Sequence, residues 1–326
     1  MNLADELRVF SGRANPLLTQ RVCEHIGVPV GRARAELFPD GEVIVKLDED
    51  VRGRDVFVIQ PTCQPVNESL MELLIWIDCL KRASANRITA VMPYYGYARQ
   101  DRKSEGRTPI TAKLVANLIV AAGANRVIAM DLHAAQIQGF FDIPVDHLVA
   151  SRVFAEHYIV EAPKLGRIAI VSPDPGNLKV ASDYAELLNA DLAFIDKRRQ
   201  SATSVAMTNI IGDVKGKTVL MFDDMITTGG TVAEASRILK DHGCGPIHVA
   251  ATHGIFAGSA VEKLLKAPIE QFVITDSVPF WDRLAPLKDR ITVLSVASLL
   301  GEAIKRIHLN QSVSMLFAKG GGAGKR

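Results

Sequence analysis

Short apolar runs rich in Val and Ile alternate along the chain with longer segments whose apolar residues return every three or four positions. That alternation marks a parallel sheet built with crossover helices. The runs predict strands over 55–60, 87–92, 126–130, 167–171, 192–195, 218–222, 247–251 and 272–274, and several are apolar throughout, as strands covered on both faces are. Helices are predicted over 67–82, 110–122, 231–242 and 261–266. In the third of these, Val232, Ala235, Ile238 and Leu239 fall on one face, and Gly243 supplies a stop.

Strand, polar loop, helix, strand and histidine follow in the same order twice, once from Arg87 to His133 and again from Lys217 to His253. The first copy is longer. Its excess falls on residues 94–109, an Arg-rich loop in which Tyr94, Tyr95 and Tyr97 precede the cations and Gly96 and Gly106 are candidate hinges of a closing lid. Two similar α/β domains are therefore expected, each a mostly parallel sheet flanked by helices. They should occupy 1–150 and 151–318, with a last helix at about 297–309 packing on the first domain and a flexible Gly-rich tail over 319–326.

At 326 residues the chain is longer than one small core serves, and a 48% apolar, 23% charged composition excludes fibrous and disordered classes. A formal charge of +2 is too small to predict a nucleic-acid or membrane surface, so neither partner is expected. Cys23, Cys63, Cys79 and Cys244 form no C-x-x-C pair, which argues against structural zinc and a disulfide framework and for a reducing compartment. The acidic N-terminus is unlike a signal peptide and no apolar stretch approaches membrane-spanning length, so a cytoplasmic location is expected.

The strongest chemical signal is the run Asp223-Asp224-Met-Ile-Thr227-Thr228-Gly229-Gly230-Thr231, where an apolar strand ends in two carboxylates and a Gly/Thr loop opens a helix. Adjacent glycines let several N–H groups point at one anion, and the helix dipole and threonine hydroxyls add to the attraction. Two carboxylates can accept from the vicinal hydroxyls of a ribose or hold Mg²⁺. The run reads as a ribose-phosphate cradle. Gly212 to Thr218 imitates a P-loop, but its first glycine is one residue too close and it precedes its strand, so a P-loop is rejected.

Asp131 and His133 open a second constellation, running to Asp146, whose acid and imidazole suit a metal or a triphosphate. Ser172-Pro-Asp174-Pro-Gly176-Asn177 again ends a strand in a carboxylate beside a turn. Positive charge for phosphates lies at Arg99, Arg102, Lys103 and Arg107, and at Lys197-Arg198-Arg199. Phe38-Pro-Asp40-Gly41-Glu42 reads as a turn between strands.

With these segments side by side, the chain resembles the ribose-phosphate pyrophosphokinase family over residues 5–318. The match includes Pro93 to Lys103, Thr108 to Leu114, the whole 131–146 segment and Gln311 to Phe317. The resemblance implies two domains of phosphoribosyltransferase-like type. It implies transfer of the β,γ-diphosphoryl group of ATP to ribose 5-phosphate with Mg²⁺, feeding nucleotide, histidine and tryptophan biosynthesis. Phe38, Asp40, Gly41 and Glu42 would meet the ATP nucleoside from a neighbouring subunit, and Arg99, Gln100 and Arg102 its purine and phosphates. His133 and Asp174 would serve Mg²⁺. Lys197 and Arg199 would be the catalytic cations, and Arg199, Asp223, Asp224 and Thr227, Thr228, Gly229, Gly230 and Thr231 would bind ribose 5-phosphate. A homohexamer built from dimers is implied as well.

Two departures stand out. Thr227 occupies a position where the family has Asp, and Gly176-Asn177 with Val180 and Ser182 replaces two glycines followed by two arginines. Two other readings share these residues. A phosphoribosyltransferase would use the same loop with Thr227 in it, and a non-catalytic regulatory homologue would accommodate the departures.

Overall fold

The computed structural model describes residues 6–198 and 207–316. The chain divides into two compact units. The first takes in residues through Ala150, Ser277–Pro279 and the segment that begins at Ser295; the second takes in Ser151–Asp276 and Phe280–Leu294.

In the first unit β1 (Leu7–Ser11), β4 (Asp55–Ile59), β5 (Arg87–Met92), β6 (Arg126–Met130) and β7 (Val145–Leu148) form a parallel five-stranded sheet in that order. A separate antiparallel hairpin joins β2 (Ala33–Leu37) to β3 (Val43–Leu47). Three helices of this unit are α1 (Pro16–Ile26), α2 (Val66–Arg82) and α3 (Thr111–Ala122). Asn15 caps α1 by accepting the Leu18 N–H, Pro16 occupies its first turn, and Gly27 ends it with φ +83°. The core is apolar on both faces of β4, whose five residues are all buried, and it centres on Phe10, Val58, Leu73, Trp76 and Ile88.

The second unit holds a seven-stranded sheet in the order β10 (Met207–Ile211), β9 (Asp191–Arg198), β8 (Ile168–Ser172), β11 (Thr218–Ile226), β12 (Ile247–Gly254), β13 (Gln271–Thr275) and β14 (Ile291–Leu294). All pairs are parallel except the β9–β10 edge. Its helices are α4 (Ser151–Glu161), α5 (Leu178–Leu188), α6 (Gly230–Asp241) and α7 (Ala260–Leu265). Chain order runs outward from β8 in both directions, so the sheet has a topological switch point between β8 and β11. The expectation of two α/β domains, each a mostly parallel sheet flanked by helices, is borne out.

Helix α8 (Ala297–His308) closes the chain and returns to the first unit, packing on α1. Several predicted strands run further than expected, among them β12, which continues from the predicted 247–251 to Gly254. The strand predicted at 218–222 continues to Ile226 because β12 lies beside it throughout, pairing Asp223 with Ala251 and Met225 with His253. The one predicted at 192–195 continues to Arg198 because β10 folds back on it, with Thr208 opposite Lys197. Asp223 and Asp224 thus belong to a strand. The turn itself is only Thr227 to Gly229.

The expected tail 319–326 lies outside the described residues. Among the described residues no helix is long and apolar enough to cross a membrane, and the four cysteines are free. Lys217, the mock P-loop lysine, is buried with its ammonium 2.7 Å from Asp191 and 2.8 Å from Asp213.

Candidate active site

Phe222 sets the end of β11 in place. Its ring stacks on Tyr184 at 3.6 Å between centroids and meets Tyr158 and Phe154 edge-on, so α4 and α5 grip the residue before the acidic pair. The backbone then carries Asp223 and Asp224 past the carboxyl end of β8. The Asp223 carboxyl accepts the Asp224 N–H at 2.9 Å. Burial first, then the Asp224 carboxylate and, further off, Asp174, push its pKa up to about 8.

After Ile226 the carbonyls are taken up from the neighbouring turn. Ile226 O accepts from Phe256 N at 2.9 Å, and Thr227 O from Ala257 N at 2.8 Å. Gly229 adopts φ +68° and serves as the N-cap of α6, and among the described residues no side chain caps this end. The first-turn N–H groups are therefore left to a ligand or water, with exposed Thr228, Gly230 and Thr231 around them. A side chain at Gly229 would meet Leu264 of α7 at 2.9 Å, so glycine answers both backbone and packing needs.

Across the switch point, Asp174 follows β8. Its Oδ1 accepts N–H groups of Gly176 at 2.8 Å and Asn177 at 3.2 Å, and the Asn177 amide reaches the Phe222 carbonyl at 2.6 Å. Asp174, Asp223, Asp224 and residues 227–231 are thus gathered at the carboxyl ends of two adjacent strands. Lys197 lies on β9, the next strand over. Arg199 lies outside the described residues.

In the first unit the 94–109 loop begins rigidly. Tyr95 is buried and its hydroxyl donates to Ala112 O at 2.9 Å. The Gly96 N–H donates to Thr62 Oγ1 at 2.7 Å, and a Cβ there would come within 2.5 Å of the Thr62 carbonyl oxygen. Gly96 is a packing glycine, which corrects its reading as a hinge. Beyond it Arg99, Gln100 and Arg102 are exposed, and Gln100 holds the start of α3 by accepting the Ala112 N–H and the Thr111 hydroxyl.

His133 is exposed beyond β6. A bond of 3.2 Å from Gln136 to Asp101 joins its segment to the arginine loop. Asp131 turns at φ +36°, and its carboxylate accepts the Ala150 N–H at 3.0 Å, which ties the end of β6 to the residue after β7. The repeat's second histidine, His253, is inside β12 and 1% exposed, so the two are not equivalent. His147 was not singled out from the sequence. Its Nε2 accepts the Leu132 N–H at 2.9 Å, steadying the residue before His133; its position on β7, fourteen residues downstream, gave no local signal. Phe38, Asp40 and Glu42 project from the hairpin tip, where Gly41 turns at φ +92°.

Fold and strand end place the chain in a class, the α/β enzymes that take substrates at the switch point of a parallel sheet. Comparison with known proteins narrows the class. Residues 7–123 match the N-terminal domain of ribose phosphate pyrophosphokinase, and residues 202–318 the phosphoribosyl synthetase-associated domain. The ribose-phosphate pyrophosphokinase of Rhodopirellula baltica is 55% identical over 314 residues, covering 96% of this chain and 98% of that protein. That of Caldanaerobacter subterraneus subsp. tengcongensis is 52% identical over the same shares. The crystal structure of phosphoribosylpyrophosphate synthetase from Mycobacterium smegmatis superposes with a TM-score of 0.86 at 42% identity, covering 94% of this chain and 99% of that one. The chain belongs to the ribose-phosphate pyrophosphokinase family, and is an enzyme of that kind.

Proposed function

We propose that the chain transfers the β,γ-diphosphoryl group of ATP to the C1 hydroxyl of ribose 5-phosphate, giving 5-phosphoribosyl 1-diphosphate and AMP. The observation that carries this reading is the acidic, glycine-bearing end of β11 at the switch point, where carboxylates and helix N–H groups stand side by side. A ribose 5-phosphate has the matching halves. Its phosphate suits the first turn of α6 with Thr228 and Thr231, and its vicinal hydroxyls suit Asp223 and Asp224 as acceptors. Thr227 keeps a hydroxyl donor in the loop.

In the reaction the C1 oxygen bonds to the β-phosphorus while the bond from that phosphorus to the AMP oxygen breaks. Such transfer needs alignment and charge neutralisation more than covalent help. Lys197 and Arg199 would neutralise the phosphates, with Arg99, Gln100 and Arg102 on the nucleotide side. Phe38, Asp40, Gly41 and Glu42 would hold the nucleoside, contributed across a contact between subunits of a homohexamer built from dimers.

The residues fit Mg²⁺ as the metal. Among the described residues no three His, Cys, Asp or Glu side chains converge on one point that could hold an ion. Mg²⁺ ordinarily takes only one or two carboxylates and completes its shell with water and substrate phosphate. Asp174, with both its N–H bonds on Oδ1, would serve the ion in the second unit, and exposed His133 is the proposed metal residue of the first. Bound, the ion supplies charge neutralisation at the phosphoryl oxygens.

The test is AMP formation from ATP and Mg²⁺ with and without ribose 5-phosphate, with the sugar product followed by phosphorus NMR. AMP that appears only with the sugar, together with a new diphosphate on C1, is expected. Saturable sugar-phosphate binding with no AMP would overturn the reading and favour the transferase or regulatory alternative.

A further inference from the structure

The ladder between β8 and β11 stops early. It pairs Thr218 with Ile168, Val219 with Ala169 and Leu220 with Ile170, and no further. The acidic residues that the site needs lie beyond this last pair, on a stretch of β11 supported on its other side by β12 alone. Phe222 is buried there, at 5% exposure, and its main-chain carbonyl cannot be left without a donor at little cost. The donor is the side-chain amide of Asn177, at 2.6 Å.

Asn177 sits where an asparagine would usually serve its own helix. It is the N-cap residue of α5, yet its side chain makes no capping bond. Its own N–H is held by Asp174 Oδ1 at 3.2 Å, and the Asp174 carbonyl accepts the Ser172 hydroxyl. One residue therefore connects the carboxylate that follows β8 to the peptide that precedes Asp223, across 45 positions of sequence. A glycine at this position would have no atom that could do so.

The geometry points to Asn177 as a positioning residue for sugar-phosphate binding: its amide replaces the ladder bond that β8 no longer supplies, and so sets where Asp223 projects relative to Asp174. The inference rests on the reading of the β11 end as the ribose 5-phosphate site. It assigns Asn177 no contact with substrate. The contribution is to affinity for the sugar phosphate, leaving the nucleotide side alone.

The test uses the full-length enzyme and two substitutions, Asn177→Ala and Asn177→Asp, the second of the same shape but without the donor. Because the residue is only partly buried and its side chain caps nothing, both variants should fold, with the unliganded Tm lowered modestly by the one lost bond. Asn177→Ala should raise the KM for ribose 5-phosphate about fivefold, the effect of one ordinary hydrogen bond, while kcat and the KM for ATP stay within about twofold. The thermal shift produced by ribose 5-phosphate alone, in EDTA without ATP, should shrink to match. Asn177→Asp should be affected at least as much. Wild-type affinity in the Asp variant would overturn the donor role. A parallel rise in the KM for ATP would overturn the assignment to the sugar-phosphate side. Failure of the wild-type enzyme to make AMP with ribose 5-phosphate would instead overturn the proposed function, and the two failures are distinguishable.

Discussion

At neutral pH Asp223 holds a proton that an ordinary carboxylate would release, because burial and then Asp224 and Asp174 disfavour its charge and raise its pKa to about 8. The consequence for stability has a definite sign. Below about pH 4 the group is protonated both folded and unfolded and contributes nothing. Between about pH 4 and pH 8 the unfolded chain releases the proton while the folded one keeps it, so the native state loses stability as pH rises, with the full penalty present above about pH 8. Asp223→Asn should therefore stabilise the unliganded protein, by on the order of 2 kcal/mol at pH 8.5 and much less at pH 5. Differential scanning calorimetry at the two pH values reads this directly, and the variant should lose ribose 5-phosphate binding. A second expectation concerns Lys197. If it neutralises the phosphates as proposed, its replacement by Ala should lower turnover about a hundredfold, or about 3 kcal/mol, with ribose 5-phosphate binding retained in an equilibrium assay. Acids at the end of an apolar run before paired glycines were legible in the sequence because the whole pattern is local. Asn177 and His147 were not. Their partners, Phe222 and Leu132, are 45 and 15 positions away, and only the fold brings them within bonding distance.

The N-terminus of α6 depends on a neighbouring helix. Gly229 has φ +68°, and a Cβ there would lie 2.9–3.1 Å from three atoms of Leu264, a fully buried residue of α7. Gly229→Ala would combine a left-handed alanine, at about 1 kcal/mol, with overpacking of about 1–3 kcal/mol. It should lower the urea midpoint and weaken ribose 5-phosphate binding together, since both need the same turn. Adding Leu264→Ala removes the obstructing atoms. The double variant should be more stable than the sum of the two single losses predicts, which a double-mutant cycle in urea would measure. At this scale β5 and β6 were legible to the residue, since both are largely apolar runs that open on an arginine. Strands β9 and β11 were read short because charged residues, Asp196 to Arg198 and Asp223 with Asp224, interrupt their apolar runs and are held by β10 and β12, not by their own propensity. Helix α4 was missed for a related reason. It exposes Ile159 and Val160 while burying Phe154 and Tyr158, so its apolar residues trace no single stripe.

The chain passes between its two units more than once, and the first is completed only by residues from Ser295 onward. Helix α8 buries Leu299, Leu300, Ala303, Ile304 and Ile307, and Gly301 lies so close to α1 that a Cβ would come within 2.7 Å of the His25 ring. Burying four large aliphatic side chains contributes on the order of 8 kcal/mol before entropy is counted, comparable with the whole stability of a typical domain. Polar contacts add to the attachment. Arg87 donates to Asp55 through Nε and Nη2 and, again from Nη2, to the Ile307 carbonyl at 3.0 Å, and His308 Nδ1 lies 2.9 Å from the same Asp55. Asp55 is 8% exposed, and these partners take up the hydrogen-bonding capacity of its carboxylate. A chain cut after Ala150 would keep every strand of the five-stranded sheet and still expose the apolar face of α1 that α8 covers. Such a fragment should show little cooperative unfolding in urea when followed by circular dichroism. Supplying residues 295–316 as a separate peptide should restore a cooperative transition whose midpoint rises with peptide concentration, since the helix binds only the folded form. A fragment that unfolds cooperatively alone, with a midpoint the peptide does not move, would show that α8 adds nothing to that unit's stability. Arg87→Ala in the full chain is the milder version of the same cut. It leaves Asp55 with His308 as its remaining ionic partner and should cost about 2–3 kcal/mol, read as a lower Tm for the transition of the first unit.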